Sequence, residues 1–259
     1  MSRIYGRLRA KIDRAKQHLQ DFNLGLQAFY KTNPYEVSSK EDANTGQRIY
    51  YLVKADPVPD PLTAIAADIL FNLRTPLDHI AYQAVLESRS GTKPDWLVYY
   101  PICATAKDYP SVRTKVKGIR KELLDAIDAT EPYEGGKGHA LWQLNALHKP
   151  DKHELLVGAS TLADVDISSH FKDAFKSMGV DLPEIPSVFI KSADKTGLRV
   201  GDTVFTEPID PKPQHERKFA CYVAFDDARV VNGEPALKTL QDIANLVDDI
   251  VARIGKLFS

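Results

Sequence analysis

The hexapeptide Arg74-Thr75-Pro76-Leu77-Asp78-His79 puts a guanidinium, a carboxylate and an imidazole within six residues. Those groups are equipped for phosphoester chemistry. A guanidinium holds developing phosphoryl charge with two parallel hydrogen bonds, and an imidazole exchanges a proton near neutral pH. A second polar concentration lies downstream, from Asn145 through His148 to Asp151, Lys152, His153 and Glu154. There Asp151, Lys152 and His153 are candidates for a second set of catalytic groups, and Asn145 and His148 for binding groups.

At about 100° per residue on a helix, Asp68, Asn72, Thr75 and His79 stack in one polar stripe, and Arg74 and Asp78 stack along the other flank. A face that served solubility alone would carry Lys and Glu, so Asp68, Asn72 and Thr75 join the binding candidates. Two other readings of the same residues stay open. Arg74 and Asp78, at i and i+4, are also the spacing of an ordinary helix pair worth about 0.2–0.5 kcal/mol, with His79 donating to a nearby acceptor. His79, His148, His153, Asp68, Asp78 and Asp151 include enough ligands for a metal site in a helical core. No HExxH and no Glu-x-x-His pair accompanies them, so the expectation is no metal and no other cofactor. No GxSxG, Walker or dinucleotide fingerprint occurs, and the glycines of Glu134 to Gly138 read as a connector.

The hexapeptide must be carried by a long helix, Asp60 to Ser90. Asp60 caps its start, Pro61 supplies the φ favoured at the first position, and Gly91 marks its end. Leu62, Ile65, Ala66, Ile69, Leu70, Leu73, Leu77, Ile80, Ala81, Ala84 and Val85 recur at steps that make one apolar face. Pro76 removes a backbone donor and should kink the helix inside the polar stripe, freeing the Asn72 carbonyl. The same periodicity predicts a first helix from Arg3 to Tyr30 and a last one from Pro235 to Phe258, with shorter helices at His139 to His148, Ser111 to Lys117 and Lys121 to Asp128.

Trp96 to Ala104 reads as a buried extended run, Arg48 to Lys54 as a strand, and the TNPYEVSSKEDANTGQ stretch before it as a polar loop. Val188 to Ile190, Thr203 to Phe205 and Phe219 to Phe225 read as further strands. The predicted fold is mainly α, a helical bundle with a small antiparallel sheet inserted before the C-terminal helix. It forms one domain over residues 1–259 with a β-rich insertion at about 155–230.

With 43% hydrophobic and 27% charged residues, the 259-residue chain has the composition of a soluble globular protein. A net charge of −1 excludes a basic field over the whole molecule but not a local patch. The basic face of the first helix, with Arg3, Arg7, Arg9, Lys11, Arg14 and Lys16, reads as solvated, since Asp13 and Asp21 dilute it. Cys103 and Cys221 are too few for a disulfide framework or a four-thiolate zinc site, which points to a cytoplasmic, reduced setting. No signal-peptide block and no run of about eighteen apolar residues is present, so no membrane partner is expected.

The RTPLDH stretch, with Arg and His five positions apart, resembles the R-x4-6-H signature of the HEPN superfamily of helical-bundle proteins. Asn72-Leu73-Arg74 and Leu77-Asp78-His79, followed downstream by Asp151-Lys152-His153, are also similar to the NLRxxLDH and DKH segments of a group of bacterial proteins of unassigned activity. The resemblance implies a metal-independent endoribonuclease of toxin, defence or RNA-processing type, with RNA or a nucleotide as partner. Arg74 would neutralise phosphate, His79 would act as general acid or base, and Asp78 would assist. It implies a homodimer as well, which suits a five-residue step that turns Arg74 and His79 about 140° apart on one helix.

Overall fold

The structure is a computed structural model, and it describes residues 3–148, 159–166, 189–191, 199–209, 219–225, 227–231 and 234–258. These are mainly helical, with small antiparallel sheets. The helices are α1 (Arg3–Tyr30), α2 (Asp60–Ser88), α3 (Tyr109–Val112, running into a 3-10 turn at Arg113–Val116), α4 (Lys121–Asp128), α5 (His139–Leu147), α6 (Ala228–Val231) and α7 (Ala236–Gly255). The strands are β1 (Tyr35–Asp42), β2 (Gln47–Ala55), β3 (Ala159–Asp166), β4 (Phe189–Lys191), β5 (Thr203–Pro208) and β6 (Phe219–Phe225). The chain divides into two compact units, residues 1–26, 60–157 and 236–259 in the first and residues 27–59 and 158–235 in the second.

In the first unit α2 packs against α7 and α5, and α7 also meets α5 and α4. The apolar face read from the sequence is the face that is buried: Leu62, Ala66, Ile69, Leu70, Leu73, Leu77, Ile80, Ala81, Ala84 and Val85. A fully buried Leu or Ile contributes about 1.5–3 kcal/mol relative to exposure, so this stripe is a large contributor to the unit's cohesion. From α7, Leu240, Ile243, Val247, Ile250, Val251 and Ile254 supply the opposing surface. On α1, Gly25 lets Leu62 come close, since a Cβ there would lie 2.4 Å from Leu62 Cδ2. The basic face of α1 is partly spent inside the unit, because Arg9 and Lys16 both pair with Asp248 of α7.

The end of α2 comes at Ser88, two residues before the Ser90 of the sequence reading. Gly91 N–H donates to Leu86 O at 2.9 Å and Ser90 N–H to Glu87 O at 3.1 Å, the paired bonds of a Schellman stop. The first left-handed position is therefore Ser90, at φ 51°, with Gly91 following at φ 85°. Pro76 is buried within an unbroken α2, and side chains bond back along the helix around it: Asn72 Nδ2 donates to Asp68 O and Thr75 Oγ1 to Phe71 O, each at 2.8 Å.

The run before Pro101 is not buried throughout as expected. Tyr100 is enclosed at 1% exposure while Leu97 is 71% exposed. An extended chain turns successive side chains to opposite sides, so a continuous apolar run on a surface strap must present some of them to water.

The second unit holds two three-stranded antiparallel sheets, ordered β1-β2-β5 and β4-β3-β6. Here the sequence reading needs two corrections. The stretch read as a polar loop contains β1, which pairs with β2 from Tyr35 opposite Ala55 to Asp42 opposite Gln47. The hairpin turn is closed by Gly46 at φ 66°, whose N–H donates to Asp42 O, and by Asp42 Oδ1 accepting the Asn44 N–H. β3 also went unread, its sequence ASTLADVD being mixed rather than cleanly alternating. Leu52 and Val204 form a small core on which Tyr35, Val37, Ala55, Phe219 and Cys221 pack.

Candidate functional site

The candidate residues of α2 divide by burial. Arg74 points inward, its side chain only 10% exposed, because its position on the helix falls beside the core stripe and the Tyr100 strap covers it. Its Nη2 lies 2.9 Å from Asp78 Oδ1 and donates to Tyr100 O at 3.4 Å. Asp78 Oδ1 also accepts the Tyr100 N–H at 2.9 Å. Both backbone groups of Tyr100 are thus tied to the i,i+4 pair, and its hydroxyl contacts Thr130 Oγ1 at 3.1 Å, which in turn donates to Ile127 O at 2.6 Å.

One nitrogen of Arg74 is left over. Nη1 is buried and has no hydrogen-bond partner among the described residues. Burial opposes charge on both members of the pair: it lowers the Arg74 pKa and raises that of Asp78, while their mutual attraction works against each shift. Arg74 stays a cation at any working pH. Holding it there is costly unless each of its donors is met.

His148, the residue that caps α5, is the imidazole brought to this pair. Burial, then the Arg74 cation, push its pKa below the ordinary value, with Asp78 opposing them. It is therefore mostly neutral near pH 7 and able to accept a proton. Its ring lies 6.0 Å from that of Phe71, which is 52% exposed, and Lys11 Nζ sits 5.5 Å from the Phe71 ring centroid.

His79 has other surroundings. It is exposed, and it bears electrostatically on Asp78. Within one chain Arg74 and His79 thus face a buried and a solvated environment respectively. Asp68 is exposed, Thr75 half-buried and bonded to Phe71 O, Asn72 buried and bonded to Asp68 O, and Asn145 half-buried on α5. Asp151, Lys152 and His153 lie outside the described residues, so the second polar block is represented here by Asn145 and His148. Among the described residues no group of three or more His, Cys, Asp or Glu is placed to hold a metal ion. None of the described helices is long and apolar enough to cross a membrane.

Sequence reasoning missed three participants. The Tyr100 backbone, arriving from 26 residues downstream, has no local signature beyond preceding Pro101, which favours an extended conformation. Phe71 did have one: Ile69-Leu70-Phe71 are consecutive apolar residues, and a helix cannot turn all three to the same core. Lys11 lies on the face of α1 that reads as solvated from the sequence, whereas its ammonium rests over Phe71. Arranged this way, the site offers a fixed cation with a spare donor, a neutral imidazole and an exposed aromatic ring. No protein-family model, curated protein or solved structure matches the chain.

Proposed function

We propose that the chain is a HEPN-like helical-bundle protein that binds RNA and cleaves it without a metal ion at the Arg74–Asp78–His148 cluster. The observation that carries this reading is the buried Arg74 Nη1 without a partner among the described residues, beside an imidazole held largely neutral. Where the covering Tyr100 strap gives way to RNA, a phosphate oxygen would complete the guanidinium's hydrogen bonding and be held by it as charge grows. His148 would take the proton of a ribose 2′-hydroxyl as its oxygen attacks phosphorus. The bond from phosphorus to the 5′-oxygen then breaks, leaving a 2′,3′-cyclic phosphate, and an exposed imidazole such as His79 returns a proton to the departing 5′-oxygen. The assembly is a homodimer, which lets the exposed His79 of each copy reach the Arg74 site of the other.

The competing reading is a non-enzymatic protein in which the same cluster is a staple. It is favoured by Asp78 Oδ1, which accepts from both Arg74 and Tyr100 and so fastens the strap to α2. One experiment separates the two. Purified protein is given mixed single-stranded RNA in the presence of EDTA, and Arg74→Lys, His148→Gln and His79→Ala are compared for cutting and for thermal stability. The nuclease reading expects cutting by the wild type and at least about a hundredfold loss in each variant, at unchanged folding. Wild-type protein that neither cuts nor binds RNA removes that reading, and variants that lose only stability leave the staple.

A further inference from the structure

In the second unit a cavity of about 490 Å³ opens between β1 and β6, where the chain leaves α1. That volume lies in the range of small-ligand sites, about 300–1,000 Å³, and well above the voids that ordinary packing leaves. Three aromatic residues line it: Tyr30 and Tyr35 on either side of the turn that ends α1, and Phe219 at the start of β6.

Each ring is fixed by a contact from its own side. Val223 N–H donates to Tyr30 Oη at 2.8 Å. Phe29 packs edge-on against Tyr35 with centroids 5.9 Å apart, and Tyr50 lies 5.1 Å from Phe219. Rings held in this way do not have to be ordered when a ligand arrives, which removes part of the cost of binding. Burial raises the Tyr30 pKa, so its phenol stays neutral.

Among the described residues the charge in the lining has one sign. Glu36, exposed at the mouth, is the one charged residue among the described residues that line the cavity. The cation opposite Glu36 on the neighbouring strand, Lys54, is otherwise engaged: its Nζ donates to Asn33 O at 2.8 Å and pairs with Asp56 at 2.9 Å. Among the described lining residues an anionic ligand would find a carboxylate and no positive group. An organic cation would be attracted by the Glu36 carboxylate and by any aromatic ring it lies over.

We infer that this cavity binds a small organic ammonium ion, its cationic head among Tyr30, Tyr35 and Phe219 and its charge balanced by Glu36. The inference is independent of the RNA-cleaving reading, because it concerns the other compact unit. Cys221, a half-buried thiol in the cavity wall, gives a local reporter.

The test titrates the full chain with choline and with tetramethylammonium, using 3,3-dimethylbutan-1-ol as the uncharged isostere of choline. Binding is measured by calorimetry, and the rate of Cys221 alkylation by iodoacetamide is followed by peptide mass. Expected are at least about tenfold tighter binding of choline than of the alcohol, slowed alkylation of Cys221 with Cys103 unaffected, and at least about fivefold weaker choline binding in Glu36→Gln. Phe219→Leu should weaken choline and leave the alcohol nearly unchanged. Equal affinity for the two isosteres, Cys221 alkylation indifferent to choline, or undiminished binding in Glu36→Gln would each overturn the inference.

Discussion

Replacing the two members of the Arg74–Asp78 pair one at a time should have unequal effects on stability. In Asp78→Ala the guanidinium, 10% exposed, loses its counterion, and Tyr100 N–H loses its acceptor. Breaking a buried pair by removing one partner costs about 3–5 kcal/mol. Asp78 is itself 33% exposed, so water recovers part of that, while the orphaned N–H adds about 1 kcal/mol. The expected loss is about 3 kcal/mol. In Arg74→Met the buried cation is replaced by an apolar side chain of similar length, and Asp78 keeps both the Tyr100 N–H and its access to water. The carboxylate left behind is 33% exposed and still hydrogen-bonded, so water screens it and a change within about 1 kcal/mol is expected. Adding Arg74→Met to Asp78→Ala should therefore restore stability rather than reduce it further. Urea unfolding followed by far-UV circular dichroism measures all three variants. A loss in Arg74→Met as large as that in Asp78→Ala would refute the reasoning, and would mean that the cation supports the fold. A near-neutral Arg74→Met means that the chain keeps a buried cation it does not need for folding, as a ligand-binding group requires.

Acid should weaken the fold through His148 in its own pH window. Its folded pKa lies below the ordinary value of about 6.5, so the folded state binds fewer protons than the unfolded one, and the stabilisation is present above that value and lost as pH falls towards the folded value. His148→Gln should make the stability profile flatter just below about pH 6.5. Asp78, whose raised value gains stability as acid protonates it, and Asp128 and Asp248, whose depressed values place their losses lower still, are left unchanged; a profile of unchanged slope would contradict the assignment. At the connector, Gly138→Ala should cost about 1–3 kcal/mol, because the new Cβ would lie 2.5 Å from Thr130 O and 3.0 Å from Pro132 Cα, both backbone atoms that cannot turn aside. Gly6→Ala, on an exposed helical position with nothing within 4 Å, should instead gain about 0.5–1 kcal/mol, and thermal melts of the pair check both signs.

The three long helices were legible because their apolar residues recur with one period over many turns, as on α2 from Leu62 to Val85. The strands at Phe189, Thr203 and Phe219 were legible from short β-branched and aromatic runs. β1 was not, because YEVSSKED carries mostly polar side chains at the sheet's edge and owes its conformation to pairing with β2. At the candidate site the i,i+4 spacing of Arg74 and Asp78 was visible, but not the burial of Arg74, which depends on Tyr100. The approach of His148 to the pair was equally hidden, since it follows from how α5 lies on α2. Local spacing reports what one helix can present; which of it is covered is decided by segments distant in sequence.

The composition of the first unit from three separated stretches has a consequence for how the protein is made. On the ribosome, α2 emerges well before α7, so while the residues between Ser88 and Ala236 are made, the part of its oily side that α7 covers stays open, although α1 is already out and α5 joins midway. At about 5–20 residues per second that interval lasts on the order of ten seconds, long enough for a nascent chain to need shielding by a chaperone or by premature, non-native collapse. Yield in cells should thus respond to translation speed and chaperone supply more than the mature protein's equilibrium stability would suggest.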